Sequence, residues 1–306
     1  MFWLLVPLIA ASCYAMCTFI DNFSVDIYCR KLNPMSMAGV FAILEVIVCI
    51  VIFIWQGEAL IDGVGLSMIL TFMGAALIRR FGAIPYYKAL KKGEATEITL
   101  LSQMSPIIAL ILGIVLLHQI IKPIQLVAFF LILSAVILVV LGSGRRRAKV
   151  ELKVGTYMLA ACFCWVFADI TFAFGAIETG FIVSFFWFML GNALMRLLMV
   201  GVFKSWRHDL ARLLKRNKLK KLFTISMNEI IWLGGEIAWR YGLTIMPVAI
   251  MSVTGNVLQL IVTFLLGVGL TLIWPKFGRE KLSKKLILHH AAATGIVAVA
   301  VVLLGT

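Results

Sequence analysis

Residues 35–55 read MSMAGVFAILEVIVCIVIFIW, a run of 21 residues in which Glu45 is the single charged side chain. A helix that crosses the hydrocarbon core of a bilayer needs about 20 consecutive, mostly apolar residues. This stretch therefore predicts a transmembrane helix. Nine further segments share its length and apolar character, at roughly 2–27, 64–87, 95–117, 123–142, 154–176, 181–203, 221–243, 247–273 and 286–304.

The composition agrees with a membrane protein. Of the 306 residues, 62% are apolar and 14% are charged, and the mean hydropathy is +1.05. Soluble domains are only about 45–50% apolar, so a soluble globular protein is excluded. The segments lack the alternation of polar and apolar residues that barrel strands show, and a helix satisfies its own backbone in lipid. We therefore predict an all-α integral membrane protein with ten transmembrane helices.

The charged residues predict an orientation. The chain holds 28 basic and 14 acidic residues, and 23 of the basic ones fall in alternate loops that share one face of the membrane. Among the basic residues, only Lys122 falls in the opposite loops or at either terminus. Basic residues in short loops stay cytoplasmic, so we expect a multi-pass cell-membrane protein with basic loops inside and both termini outside. The net charge of +14 is then an orientation signal, and nucleic acid is not an expected partner.

A weak internal repeat relates the two halves of the chain. At an offset of 153 residues, Gly82-x-Ile84-x-Tyr86 aligns with Gly235-x-Ile237-x-Trp239. The alignment predicts one membrane domain made of two five-helix repeats, 1–148 and 149–306. Five spans is an odd number, so the repeats must be inverted, and the loop charges of the two halves agree. Inverted repeats with a site near the midplane are typical of secondary transporters.

Residues 83–95 read AIPYYKALKKGEA and are followed about ten residues later by Ser105-Pro106. They resemble the third-to-fourth-span signature of EamA-type transporters of the drug/metabolite transporter superfamily. The second half carries the related Tyr241-Gly242-Leu243. This resemblance covers nearly the whole chain and implies a ten-helix transporter. It also implies cytoplasmic termini, opposite to the charge count, so the resemblance leaves the orientation open.

The eighth predicted span carries the most informative polar pattern. Glu229, Trp232, Glu236 and Arg240 are spaced 3, 4 and 4 residues apart, which places them on one helical face. One interpretation is that this stripe lines the transport path, with Glu229 or Glu236 taking up a proton or a cationic group. The alternative is that Glu236 and Arg240 form an i,i+4 packing salt bridge.

The sixth span places Trp165 and Asp169 on one face, four residues apart. An aromatic ring beside a carboxylate suits a cationic or amine-bearing substrate, although Trp165 alone is more typical of core or interface packing. The repeat offset puts Tyr14 and Thr18 of the first span opposite this pair. We therefore expect the first and sixth spans to form two walls of a binding site.

Two arginines in the third span, Arg79 and Arg80, precede Tyr86 in the same span. Intramembrane arginines need partners, and either Asp21 or Glu97 at similar depth would neutralise them. If they instead face the site, guanidinium groups favour carboxylate or phosphate oxygens. Carboxylates together with arginines would suit a zwitterion such as an amino acid.

Other polar positions in the spans have structural alternatives. In the ninth span, Asn256 and Gln259 lie on one hydrogen-bonding face, which serves either a substrate or a neighbouring helix. Glu45 is expected to pair with Arg196 across helices. A basic amphipathic stretch in the long loop after the seventh span, around Trp206, is either a surface helix on the membrane or a solvated connection.

No enzyme signature is present in the sequence. There is no Walker glycine loop and no Ser or Cys beside a histidine in a nucleophilic arrangement. The six cysteines fall in or beside apolar runs and are interpreted as packing residues. We therefore expect no cofactor, no metal site and no enzymatic activity.

These observations predict a secondary-active or exchange transporter that moves a small polar or amphiphilic metabolite, either amino-acid-like or an amine, by alternating access. Its partners would be this substrate, the lipid bilayer and a coupled proton carried by Glu229, Glu236 or Asp169. The alternative is a membrane scaffold or regulatory subunit without transport, and a cavity around the buried acidic groups discriminates the two. The sequence leaves the oligomeric state, including a homodimer, open.

Overall fold

The fold is described from a computed structural model. It covers residues 5–29, 32–93, 95–117, 145–215, 218–273 and 284–304, with residues 123, 124, 126–128, 130, 131 and 134 between them. Within these residues every regular element is helical. The α-helices are α1 Leu5–Ile27, α2 Ala38–Gln56, α3 Leu66–Leu90, α4 Ala95–Leu101, α5 Met104–Leu117, α6 Arg145–Thr179, α7 Phe181–Val202, α8 Lys204–Lys215, α9 Lys218–Ile245, α10 Val248–Ile273 and α11 Lys284–Leu304.

Seven stretches of the described chain are helical, long and apolar enough to cross a membrane: Leu5–Ile27, Pro34–Leu60, Leu66–Leu90, Ile98–Leu116, Leu152–Thr179, Phe181–Val202 and Val248–Ile273. This confirms the helical, multi-pass part of the prediction. The predicted eighth span forms the 28-residue helix α9. It is not among these seven stretches, because its carboxylates and arginine make it more polar. The predicted fifth span, 123–142, lies mostly outside the described residues, so the number ten stays a prediction.

The predicted fourth span, 95–117, is broken into α4 and α5. Ser102 and Gln103 form the break, and the Thr99 carbonyl accepts hydrogen bonds from the Ser102 hydroxyl at 2.6 Å and the Gln103 amide at 3.2 Å. Gln103 also donates to the Asn256 carbonyl of α10 at 3.0 Å. Irregular backbone at membrane depth is tolerated where protein or a cavity surrounds it. The break therefore predicts a polar interior beside α4.

The amphipathic stretch after α7 forms helix α8, whose apolar stripe is turned toward the protein. Trp206 is 8% exposed and packs with Met35 and Met199. The carboxylate of Asp209 accepts a hydrogen bond from the Asn33 backbone at 3.0 Å. Helix α8 thus covers the α1–α2 connection. Neither sequence interpretation anticipated this contact with the rest of the protein.

The helix packing is compatible with the predicted repeat. Helix α3 packs along α6, and α9, which corresponds to α3 in the repeat, packs along α1. A Cβ atom at Gly82 of α3 would lie 2.8 Å from the Trp165 indole nitrogen of α6. At the corresponding Gly235 of α9, a Cβ atom would lie 3.2 Å from the Tyr14 ring of α1. Both helix pairs thus approach closely at equivalent glycines.

Equivalent aromatic contacts accompany these glycines. The rings of Tyr86 and Trp165 lie 5.4 Å apart, and those of Tyr14 and Trp239 lie 5.9 Å apart. Two-fold-related halves would produce such matched contacts. They support the repeat, while its inversion and the boundary between 148 and 149 stay predictions.

Candidate functional site

A central cavity of about 180 Å³ lies among α1 to α7, α9 and α10. At one end its wall includes Pro34 and Met35 of the α1–α2 connection, which is one of the basic loops. At the other end the wall stops at Asp169, Trp239 and Ser252, inside their helices. The cavity therefore extends from the α1–α2 connection, which α8 covers, to the level of Asp169 and Trp239 within their helices.

The cavity collects most of the residues that the sequence predicted for the site. Ten of the twelve line it: Tyr14, Thr18, Arg79, Tyr86, Trp165, Asp169, Glu229, Trp232, Asn256 and Gln259. The other two, Glu236 and Arg240, are 0% exposed and lie behind the wall. The predicted path-lining stripe of α9 is thus only partly on the cavity.

Four charged side chains close the inner end of the cavity, and we call Arg79, Asp169, Glu236 and Arg240 the floor network. Glu236 is 2.6 Å from Arg79 and 2.7 Å from Arg240. Asp169 is 2.8 Å from Arg240 and 3.5 Å from Arg79. The network is electrically neutral, and each carboxylate contacts both arginines. The i,i+4 salt bridge between Glu236 and Arg240, one of the two sequence interpretations, is confirmed.

Neutral side chains complete the floor network. The Tyr14 hydroxyl donates to Glu236 at 2.8 Å, and the Trp239 indole donates to Asp169 at 3.0 Å. The Arg240 guanidinium lies 4.8 Å from the Phe172 ring and 4.2 Å from the Phe188 ring. These contacts supply cation–π attraction to a buried cation and hold the floor in one arrangement.

A second neutral group, the side network, consists of Glu45, Arg80, Arg196 and Glu229. Arg196 is 2.7 Å from Glu229 and 3.4 Å from Glu45, and Arg80 is 3.5 Å from Glu45. The Trp232 ring lies 4.8 Å from the Arg80 guanidinium and 5.3 Å from that of Arg196. The expected pairing of Glu45 with Arg196 is confirmed.

Of the two expected partners of the α3 arginines, Asp21 was wrong. Asp21 is ion-paired with neither, because Arg79 binds the floor carboxylates and Arg80 binds Glu45. The other expected partner, Glu97, has a side chain outside the described residues. The rotation of each helix decides which of these groups meet.

Asp21 of α1 lies on the cavity without an arginine. It is 7% exposed and accepts hydrogen bonds from the Asn228 amide at 2.8 Å and from the hydroxyls of Tyr86 at 3.1 Å and Tyr87 at 3.4 Å. All three donors are neutral. Of the five carboxylates buried in the described chain, Asp21 alone has no basic side chain of that part of the chain within 4 Å. With every group ionised, the site therefore carries one unbalanced negative charge.

The comparisons with known proteins agree with a buried polar cavity among membrane helices. Residues 1–141 match the EamA-like transporter family. The resemblance to EamA-type transporters is thereby confirmed for this stretch, and it indicates a membrane transporter. No curated protein matches the sequence significantly.

Solved structures show the same fold over the full length. Among 28 matching chains, one crystal structure of a protein 15% identical in sequence covers 96% of this chain and 97% of its own, with a TM-score of 0.60. At this identity the likeness concerns the fold alone. The EamA-like stretch and the remainder of the chain therefore lie in one architecture that solved proteins share.

Asp21 and Thr99 of the cavity wall belong to the EamA-like stretch, and Asn228 of the same wall belongs to α9. Thr99 of α4 and Asn228 of α9 both line the cavity, and the Thr99 hydroxyl and the Asn228 side-chain oxygen have no hydrogen-bond partner among the residues that the structure describes. Buried polar atoms are nearly always hydrogen-bonded. The sequence analysis missed Asp21, Tyr87, Thr99 and Asn228 as site residues. One signal was available for Asp21: the predicted spans hold more carboxylates than arginines, so at least one carboxylate lacks an arginine of its own.

Proposed function

We propose that this chain is a secondary-active or exchange transporter that moves a small amphiphilic metabolite, with an amine or amino-acid-like head group, by alternating access. The family match to EamA-like transporters supports the transport function. The single observation that carries the finer proposal is Asp21, a carboxylate on the cavity that no arginine neutralises. A transporter site needs such a group, whereas a scaffold has no use for it.

The charge of the cavity favours a cation as the transported or coupled species. A charge at membrane depth is costly unless it is paired or hydrated. The floor and side networks are each neutral, so uptake of one positive charge at Asp21 would make the whole site neutral. A proton and a protonated amine both supply that charge. Glu229, Glu236 and Asp169, the candidates from the sequence, are each ion-paired, which makes Asp21 the better candidate for coupling.

The position of the cavity is suited to alternating access. The cavity extends to Pro34 and Met35 of the α1–α2 connection, and the floor network lies at its other end. A substrate would enter from the basic face, and passage would require the floor to open. The scaffold alternative offers no reason for a polar cavity closed on one side by four charged groups.

The test uses the purified protein in liposomes that contain a pH-sensitive dye. We expect an outward amine gradient to drive proton movement into the liposomes, and Asp21→Asn to abolish it. Asp62→Asn is the matched control, because Asp62 is exposed at the end of the α2–α3 connection. If neither amines nor amino acids move across the membrane while the protein stays folded, the transport proposal is wrong and the scaffold alternative gains.

A further inference from the structure

We infer that the cavity selects protonated primary or secondary amines through their N–H groups, and discriminates against both quaternary ammonium ions and amines that also carry a carboxylate. This inference rests on the proposed transport function and narrows its substrate class. We call Asp21, Thr99 and Asn228 the ammonium subsite. The selectivity depends on which polar atoms of this subsite lack a hydrogen-bond partner and on which arginines of the wall lack a carboxylate.

The ammonium subsite offers hydrogen-bond acceptors. The Asn228 amide nitrogen donates to one oxygen of Asp21, so the free Asn228 oxygen, which shares its carboxamide group, lies beside that carboxylate. The Thr99 hydroxyl is also unpaired and is 1% exposed. Unsatisfied buried acceptors lower the stability of a protein. A ligand with several N–H donors would recover that stability.

The carboxylate itself retains capacity for one more donor. A carboxylate accepts about four hydrogen bonds, and Asp21 receives three, two on Oδ1 and one on Oδ2. The free site on Asp21 is one acceptor, and the Asn228 oxygen and the Thr99 hydroxyl are two more buried acceptors, without a partner among the described residues, on residues of the same cavity wall. A primary ammonium group has three N–H donors, whereas a quaternary ammonium has none and would leave all three acceptors unpaired.

The cavity has no free cation for a carboxylate. The three arginines on its wall, Arg79, Arg80 and Arg196, each lie within 3.5 Å of a protein carboxylate. An amino acid would have to bring its carboxylate into a site where every positive charge is already matched. Its added negative charge would stay unbalanced, so the zwitterion suggested by the sequence is disfavoured relative to a simple amine.

The other residues of the cavity wall determine the polarity and size of the part of the ligand that lies beyond its amine. Ile98, Met158 and Val166 contribute apolar surface, and Trp165 and Tyr86 contribute aromatic faces. A volume of about 180 Å³ lies below the roughly 300–1,000 Å³ of pockets for drug-sized ligands. The ligand class is therefore a small amine with a short apolar or aromatic body.

The experiment compares three compounds with one phenylethyl skeleton: phenethylamine, its N,N,N-trimethyl derivative and phenylalanine. A ligand that binds only the native state raises the apparent melting temperature. We expect phenethylamine to stabilise the purified full-length protein in detergent at pH 8, with at least about ten-fold tighter apparent affinity than the other two.

Two variants assign the effect to the subsite. Asp21→Asn should abolish stabilisation by phenethylamine, whereas Asp62→Asn should preserve it. Thr99→Val keeps the side-chain shape and removes the hydroxyl, so we expect about five- to ten-fold weaker binding from the loss of one hydrogen bond. Retained affinity in both subsite variants would overturn the assignment.

The outcomes separate this inference from the transport proposal. Equal stabilisation by the trimethyl derivative, preference for phenylalanine, or no stabilisation by any of the three up to 10 mM overturns the amine inference. Transport of phenylalanine in liposomes would then leave the transport proposal standing. Binding of phenethylamine without any flux in liposomes would support the subsite and refute transport.

Discussion

The charge balance of the site makes a sharp prediction about stability. Asp21→Asn and Glu229→Gln each neutralise one buried carboxylate on the cavity and keep its shape. They differ in what is left behind. Asp21 is held by neutral donors, while Glu229 lies 2.7 Å from Arg196 in the side network.

The expected magnitudes follow from that difference. Glu229→Gln leaves Arg80 and Arg196 with Glu45 as the single carboxylate of the side network, and breaking a buried ion pair by removing one partner costs about 3–5 kcal/mol. Asp21→Asn removes a charge that no cation balances, and the amide still has polar partners. We expect the free energy of unfolding to change by about 1 kcal/mol or less. Asp21→Asn should therefore abolish transport and leave the stability of the protein nearly unchanged.

Thermal unfolding in detergent, followed by tryptophan fluorescence, measures the difference. At roughly 2 °C per kcal/mol for a chain of this size, the melting temperature of Glu229→Gln should fall about 6–10 °C, and that of Asp21→Asn about 2 °C or less. Glu58→Gln, at an exposed carboxylate, is the control for detergent effects. Equal losses at Asp21 and Glu229 would refute the assignment of the unbalanced charge.

Further predictions concern the floor, the helix contacts and a buried thiol. Arg240→Met should lower the free energy of unfolding by about 3–5 kcal/mol, and adding Glu236→Gln should restore part of the loss in a double-mutant cycle. Gly235→Ala, whose Cβ atom would lie 2.9 Å from α1, should lower the melting temperature, whereas Gly234→Ala, with 3.8 Å available, should not. Burial raises the pKa of the Cys29 thiol from 9.0 to about 11. A variant with Cys29 as its only cysteine should therefore react with maleimide about 100-fold more slowly near pH 8 than after denaturation, and faster as the pH rises.

The spans were readable from the sequence because apolar length dominates in lipid. Predicted segments 181–203 and 247–273 became Phe181–Val202 and Val248–Ile273. The break in the fourth segment was not readable, since it depends on Gln103 reaching a carbonyl of α10. Hydropathy records how much apolar surface a segment has, and says nothing about a partner 153 residues away.

The site was partly readable for a related reason. Polar groups at membrane depth must face a cavity or one another, so most of the predicted residues reached the cavity. The pairing was readable only where it is local, as in the i,i+4 salt bridge of Glu236 with Arg240. Arg79 meets Glu236 across 157 residues, and this choice depends on helix rotation. Asp21 was misassigned because the sequence offered two arginines nearby and no means to see that other carboxylates already hold them.

The arrangement of the floor network bears on how it would open under the proposed alternating access. Arg79 lies on α3 and Asp169 on α6, which pack along each other, while Glu236 and Arg240 share α9, which packs along α1. If the two helix pairs separate, Arg79 keeps Asp169 and Arg240 keeps Glu236. The four-membered network then divides into two neutral ion pairs, with no charge left alone in the membrane. An isolated Arg–Glu pair in the same place would instead expose one bare charge on each side, at a cost of several kcal/mol per ion. The floor network thus closes the cavity tightly and can still part between the two helix pairs, while the closely packed helices within each pair stay together.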